Sequence, residues 1–399
     1  MVKTDLEKNL HIKEMELISL LEVTQAINAN LPEDSLYKIY HFISIGSLQI
    51  KKLALYVHEQ EWVCKVNYGT EKDFRNIPFP ESFLSIQGIS NVDFPSNFKG
   101  FEIVIPIAHK DIPLAYVFLS GEEDGGITDT SFIQTITSVL IVAIENKKLA
   151  RKQLQQEALR KELEIAREVQ TMLFPKELPF HDRLKIQATY LPHTTVGGDY
   201  YDYIPLDDHR FITCIADVSG KGIPASLLMA NFQASLRTLV RKTTNLTEIV
   251  TELNYIIKNN AKGDRFITFF VAEFDLKNKY FKYINAGHNP PVLAWQNGET
   301  EILERGTIVL GAFDNLPFVE EDTVAITGPM LLFAYTDGLT ETSNEQDEEF
   351  GIEGVKNFLK IHDFQSLETM HTSIQDQLKE FKGTKEFPDD ITYLTCFVS

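Results

Sequence analysis

The stretch 196–225, V-G-G-D-Y-Y-D-Y-I-P-L-D-D-H-R-F-I-T-C-I-A-D-V-S-G-K-G-I-P-A, constrains this chain more than any other. An apolar strand through Phe211, Ile212, Cys214, Ile215 and Ala216 runs into Asp217, then a glycine-rich turn, then a helix starting near Pro224. A strand that ends on a carboxylate at such a turn holds the charge at the sheet edge, away from the core. Asp199 and Asp202 lie upstream, behind the Gly197-Gly198 pair that lets backbone approach closely. Two similar places come later: the apolar run 330–335 ends in Thr336-Asp337-Gly338, and Pro388-Asp389-Asp390 opens a last strand. Aspartates at strand ends, with no His or Cys pairing, predict an oxygen-donor site for a hard cation. Four such carboxylates (Asp199, Asp217, Asp337 and Asp389) gathered in one cleft would repel and have raised pKa values unless divalent cations shared it. Two Mg²⁺ or Mn²⁺ ions roughly 3.5–4 Å apart would lower the pKa of a shared water and aim it at phosphorus. They would also neutralise charge on the phosphoryl oxygens.

Composition frames that site. The 399 residues suffice for two or three domains. With 43% hydrophobic and 24% charged residues, the chain reads as globular rather than disordered. A formal charge of −19, from 38 basic and 57 acidic residues, disfavours nucleic acid or an anionic membrane as the main partner. Cys64, Cys214 and Cys396 each lie in an apolar, strand-like run. Their spacing fits neither a zinc site nor a disulfide framework, so buried thiols are expected. The N-terminal M-V-K-T-D-L-E-K does not read as a signal segment, and runs such as 139–144 fall far short of the ~20 apolar residues that span a bilayer. The expectation is a cytoplasmic protein without a membrane span.

Along the chain, apolar residues at helical spacing over 10–27 predict a helix that stops near Asn30, ahead of Pro32, with a shorter helix over 36–47. Strands are expected over 52–58, 62–67, 101–108 and 112–120, the last two joined as a hairpin by the tight turn His109-Lys110-Asp111. A helix then begins at 128–131 and runs past Asn146. This order makes a compact α+β unit over 1–145, with no Cys or His cluster to fix a haem, chromophore or metal. Such a unit is either a sensor or a packing and dimerisation domain without ligand. From 145 to 173 the sequence is highly charged and free of Pro and Gly. Leu159, Leu163, Ala166, Gln170 and Leu173 alternate at spacings of four and three, a heptad seam that Leu149 extends upstream. The segment 146–175 therefore reads as a helical coiled-coil linker pairing with its copy in a homodimer, against the plainer reading of a solvated connecting helix. Phe174-Pro175 and Leu178-Pro179 end it. Beyond Arg183, strands are expected over 184–191, 198–205, 209–218, 266–274, 280–286, 291–295, 330–336 and 391–398. Helices fit 224–242, 246–260, 352–361 and 365–381. Many strands with helices in segregated pairs predict packed antiparallel sheets flanked by helices.

The residues from about 162 to 399 resemble the bacterial PP2C-like serine/threonine phosphatases of the RsbU/SpoIIE group. The matching pieces are E-I-A-R-E-V-Q-T-M-L-F-P (164–175), G-G-D-Y-Y-D (197–202) and A-D-V-S-G-K-G-I-P-A (216–225). They continue with F-I-T-F-F-V-A-E-F-D (266–275), N-A-G-H-N-P-P (285–291), Y-T-D-G-L-T-E (335–341) and P-D-D-I-T (388–392). The element order over 1–145 resembles a GAF-type sensor domain. The resemblance implies an α+β chain in three parts: a GAF-like sensor at 1–145, the linker at 146–175 and a PP2C-like αββα sandwich at 176–399. It makes Asp199 and Asp217 ligands of two Mn²⁺ or Mg²⁺ ions, with Asp217 bridging, the Val218 carbonyl contributing, and Asp337 and Asp389 completing the set. Asp390 stands where the wider superfamily often has Asn, which makes it a weaker candidate beside the ligands. The implied activity is direct hydrolysis of phosphoserine or phosphothreonine, without a phosphoenzyme. The implied substrate is a phosphorylated regulatory protein, a STAS-type anti-sigma-factor antagonist in partner-switching signalling. Rival readings are a non-catalytic signalling scaffold on the same fold and a dimetal hydrolase of small phosphoesters.

One departure matters. Eukaryotic-type members of the wider superfamily carry a His two residues after the second aspartate, where this chain has Ser219, so no protein group is assigned as general acid. Arg167 and Arg265 are not assigned to the phosphate. His288 reads as turn chemistry with Asn285, Gly287 and the paired prolines, with a ligand or acid role as the alternative. Lys221 is a solvated loop lysine or a phosphate contact, Asp202 a local hydrogen-bonding group or a ligand, and Glu341 a surface group or an orienting one.

Overall fold

The computed structural model describes residues 2–48, 50–91, 94–110, 112–120, 129–261, 264–361, 364 and 366–399. Asp111, Thr128 and Gln365, where a hairpin turn and two helix starts are expected, lie outside them. The chain divides into two units, Met1–Glu157 and Ala158–Ser399.

The first unit contains helices α1 (Val2–Asn28) and α2 (Glu33–Gly46), strands β1 (Leu53–His58), β2 (Trp62–Tyr68), β3 (Ser90–Asn91), β4 (Ile103–His109) and β5 (Ile112–Leu119), and the first part of α3 (Thr130–Thr171). The strands form one antiparallel sheet in the order β2-β1-β5-β4-β3. Period-two alternation divides β1, an interior strand of this sheet, between two cores. Leu53, Leu55 and Val57 join the apolar faces of the helices, while Ala54 and Tyr56 join an aromatic cluster with Phe74, Phe83, Phe98 and Phe118. Cys64 belongs to that cluster and is buried, as are Cys214 and Cys396. Helix α3 is 42 residues long and crosses the boundary between the units, so the helix expected past Asn146 and the expected linker are one continuous element. Its C-terminal seam is not open along its whole length. Gln170 is buried, and Leu173 packs on the core of the second unit. Leu149 and Leu159 of the seam are exposed, as are Leu154, Ile165, Val169 and Met172 beside it.

The second unit has four layers. Helices α4 (Ile223–Val240) and α5 (Leu246–Ala261) pack on a sheet built from β8 (Tyr200–Pro205), β9 (Arg210–Val218), β10 (Ile267–Asp275), β11 (Tyr280–Ala286) and β14 (Gly306–Thr307), with β15 (Asp322–Ala325) also paired to β11. A second sheet runs β13-β12-β16-β17-β7-β6, from β6 (Phe180–His181), β7 (Leu184–Leu191), β12 (Val292–Trp295), β13 (Thr300–Ile302), β16 (Met330–Tyr335) and β17 (Ile391–Val398). Its outer face is covered by α6 (Asp337–Thr340), α7 (Gly351–Ile361) and α8 (Leu367–Lys382). Phe211, Ile215, Phe270, Phe274 and Phe281 from the first sheet meet Leu293, Leu332, Leu394 and Cys396 from the second in a core between the sheets. The long strands are where the apolar patterning places them. The short β13, β14 and β15 fall in a stretch with too few alternating residues to announce them.

Helix α8 is tied to its sheet by His371, whose Nδ1 lies 2.8 Å from Thr189 Oγ1 and whose Nε2 lies 2.9 Å from Thr395 Oγ1. Burial pushes this imidazole down to about 3. Its stabilising contribution is therefore complete above the ordinary imidazole pKa of about 6.5 and is lost as pH falls from there towards 3. Urea unfolding between pH 7 and 4 should show a shallower acid loss for His371→Gln than for the wild type. Identical slopes would rule this out.

Candidate metal centre

Strand alternation decides which side chains enter the gap between the sheets. On β9, Ile212, Cys214 and Ala216 face the helices, so Asp217 continues the inward row of Phe211 and Ile215. On β10, Ile267, Phe269 and Val271 face the helices, which turns Thr268 inward opposite Asp217 in the β9–β10 ladder. From the other sheet, Thr336 follows the inward row of Leu332 and Ala334, and Thr392 precedes Leu394 and Cys396.

These rows meet at Asp199, just before β8. Its Oδ2 accepts from Thr336 Oγ1 at 2.9 Å and from Thr392 Oγ1 at 2.5 Å, so a carboxylate of one sheet is held by two hydroxyls of the other. Asp199 is buried, and burial followed by the nearby charges of Asp217 and Asp390 raises its pKa well above the usual range. Asp217 is pushed up to about 7 by burial and then by Asp337, against an opposing contact with Asp199. Asp337 is raised by burial and then by Asp389. Three of the four expected carboxylates thus carry charge that the protein does not fully compensate. The fourth, Asp389, is paired: Lys221 Nζ lies 2.9 Å from its Oδ2 and also donates to the Pro388 carbonyl at 2.6 Å. Lys221 is thus an exposed loop lysine that also makes an ion pair. No three His, Cys, Asp or Glu side chains among the described residues converge on one metal position. The donors nonetheless suit Mg²⁺ or Mn²⁺, being carboxylate and carbonyl oxygens without sulfur or imidazole.

Asp390 has a different role. Its Oδ1 accepts from the His193 N–H at 2.7 Å and its Oδ2 from the Gly198 N–H at 2.8 Å, fixing the backbone that leads into Asp199. This explains Gly197: a Cβ there would lie 2.0 Å from Asp390 Oδ2 and 2.3 Å from the Tyr190 hydroxyl. Gly198 is similarly close, its would-be Cβ 2.8 Å from the Val218 carbonyl oxygen. Gln170, at the end of α3, completes the clamp. Its Nε2 donates to the Gly197 carbonyl at 2.8 Å, and its Oε1 accepts from the Gly197 N–H at 3.3 Å. The heptad reading missed this; the signal was an amide at an apolar seam position.

The other candidates have partners or settings of their own. Asp202 is buried in a two-pronged ion pair, accepting from Arg237 Nε and Nη2 at 2.8 Å each and from the Tyr200 hydroxyl. Arg265 Nη1 donates to the Ser219 carbonyl at 2.7 Å and packs over Gly220, bracing the turn. Arg167 and Glu341 are exposed, but Glu341 lies one turn after Asp337, and burial followed by the charges of Asp337, Glu349 and Asp389 raises its pKa. His288 is buried, and burial pushes it down to about 3, so it stays neutral and is not a general acid near neutral pH.

The comparisons with known proteins agree with this architecture. Residues 207–398 match the family model for Stage II sporulation protein E (SpoIIE). The chain carries a SpoIIE-family domain. Over 227 residues it is 31% identical to phosphoserine phosphatase RsbU of Bacillus subtilis, covering 56% of this chain and 64% of that protein. Over 186 residues it is 26% identical to phosphoserine phosphatase RsbP of the same organism, covering 46% of each. Over 303 residues it is 26% identical to protein IcfG of Synechocystis sp., covering 69% of this chain and 46% of that one. The chain thus spans less than two thirds of the length of these relatives. Among solved structures, the SiaA-PP2C domain of Pseudomonas aeruginosa superposes with a TM-score of 0.54 at 20% identity, over 60% of this chain and 97% of that one. That likeness identifies the fold of the SpoIIE-family domain as PP2C-like.

A methyl group at Gly197 must displace Asp390 or Tyr190. Gly197→Ala should therefore cost about 1–3 kcal/mol, measured by urea unfolding. Wild-type stability would mean that the contact yields freely.

Proposed function

We propose that this chain is a metal-dependent protein serine/threonine phosphatase. The observation that carries the reading is the set of inward carboxylates, Asp199, Asp217 and Asp337, whose mutual repulsion in a buried gap calls for a divalent counter-charge, on a SpoIIE-family domain. Asp199, Asp217, Asp337, Asp389 and the Val218 carbonyl would hold two Mn²⁺ or Mg²⁺ ions. When bound, such ions supply an acidified water and charge neutralisation at the phosphoryl group. The chain's own contribution is placement. Thr336 and Thr392 fix the Asp199 rotamer, Asp390 and Gln170 fix the backbone before it, and Lys221 ties the 219–222 turn to the start of the last strand. Ser219 stands two residues after Asp217, and its hydroxyl accepts from the Phe266 N–H at 2.9 Å, so this position serves the turn.

The proposed substrate is a phosphorylated regulatory protein, of the STAS-type anti-sigma-factor antagonist kind, in a partner-switching pathway; the relatives named phosphoserine phosphatases support the phosphoserine part of that reading. The five-stranded sheet of the first unit, with helices on one face and an aromatic cluster on the other, supports a GAF-like sensor. No described helix is long and apolar enough to cross a membrane, and a cytoplasmic location is part of the proposal. The chain would act as a homodimer. Exposed Ile165 and Val169 fall four apart on one face of α3, with Leu154 three turns before Ile165 and exposed Met172 just past the helix end, a stripe suited to a second copy.

Two measurements test the reading. Phosphate release from a phosphoserine protein should require Mn²⁺, stop with EDTA, and fall at least ~100-fold in Asp217→Asn and Asp337→Asn, taking a lost metal ligand to cost no less than the loss of a group supporting one. Metal-independent release, or variants as active as the wild type, would overturn it. Equal turnover of a generic aryl phosphate would favour the small-phosphoester hydrolase, and Mn²⁺ binding without release in any condition the scaffold. Sedimentation should show a dimer that Ile165→Glu with Val169→Glu converts to monomer. A dimer unaffected by both charges would place the interface elsewhere.

A further inference from the structure

The N-A-G-H-N-P-P turn lies beside the carboxylates, yet nothing in the proposed chemistry uses its buried histidine. Its anchoring is unusually complete. The Asn285 side chain donates from Nδ2 to the Leu303 carbonyl at 3.1 Å and accepts from the His288 N–H at 2.8 Å. Gly287 has φ +65°, and a Cβ there would lie 2.5 Å from a Val309 methyl group.

From this base the turn reaches the first sheet and helix α6. His288 Nδ1 lies 2.8 Å from Thr268 Oγ1, and Thr268 stands directly opposite Asp217 in the β9–β10 ladder. The next residue, Asn289, donates from Nδ2 to Thr340 Oγ1 at 3.1 Å. Thr340 Oγ1 in turn donates to the Asp337 carbonyl at 3.2 Å. One end of the His288-Asn289 dipeptide therefore touches the strand neighbour of Asp217, and the other touches the short helix that Asp337 opens. His288 Nε2 is buried near the Tyr335 carbonyl without a hydrogen bond of normal geometry, which leaves the Thr268 contact as the ring's own anchor.

We propose that His288 and Asn289 are positioning residues, forming a strut that sets the separation of Asp217 and Asp337 across the gap between the sheets. This rests on the metal-site reading above. The physical need is plain: apolar faces packed on each other resist separation but are indifferent to small slides, whereas divalent-ion ligands must be held to about 0.5 Å. A neutral ring suits the task, since a charged one would be a competing cation beside the carboxylates.

The test is Mn²⁺ affinity, read by electron paramagnetic resonance on the full chain, with urea midpoints as a check on folding. His288→Gln, Thr268→Val and Asn289→Ala should each weaken binding by about 10-fold or more, the usual cost of losing a group that supports metal ligands. His288→Asn, whose amide can occupy the Nδ1 position, should stay close to wild type. The Thr268→Val/His288→Gln double variant should be no weaker than the worse single one, because both remove the same contact. Unchanged affinity in folded Thr268→Val and Asn289→Ala, while Asp217→Asn loses binding, overturns the strut and leaves the metal site standing. Strictly additive losses in the double variant also overturn it. A wild type that binds no Mn²⁺ overturns the metal reading and the strut with it.

Discussion

The second unit is governed by the cost of placing carboxylates between two apolar sheets. Asp199, Asp217 and Asp337 enter that gap because each sits at the inward phase of a strand or at a strand's last turn. Each is then pushed towards protonation by burial and by the others. A fold that tolerates this needs local donors and a counter-charge. The threonines at inward positions 336 and 392 supply the donors at Asp199, and Lys221 supplies a cation at Asp389. The metal proposal adds the remaining positive charge.

Around this gap the supports are graded by distance from the charge. Asp390 is acidic but acts as an acceptor for two backbone N–H groups, which makes it part of the scaffold for Asp199. Asp202 carries the same functional group three residues beyond Asp199, yet it sits on the helix side of the sheet in a bidentate pair with Arg237. Three aspartates within or touching one segment thus do three different jobs, and the difference is the face on which each side chain emerges. Gln170 extends the support to the last turn of α3 by pairing with both polar groups of Gly197. The geometry of the Gly197–Asp199 backbone therefore depends on where that helix ends.

Much of this was legible in the sequence. The runs that became β9, β10, β11, β16 and β17 are long, apolar and bounded by turn residues, and burial largely on both faces leaves such runs little choice of structure. The aspartates were visible because each follows or precedes a strand at Gly or Pro. Less was legible where a residue's role depends on a distant partner. Gln170 looked like one step of a heptad seam, and only its encounter with Gly197 shows otherwise. The short β13, β14 and β15 exist because long strands beside them offer open edges; their own two to four residues carry no periodic signal.

The sequence by itself determined the longer elements, the packed sheets flanked by helices in the second half and the identities of the charged residues at strand ends, because hydrophobic period and turn chemistry act over a few residues. Only the tertiary structure decided which of those residues share a space. Register and sheet packing bring Asp199 to Thr336 and Thr392, set Thr268 opposite Asp217, and pair Lys221 with Asp389. Those encounters join residues from some fifty to nearly two hundred positions apart. Their energies depend on burial and on orientation to a fraction of an ångström, and neither quantity exists until the two sheets have closed on each other.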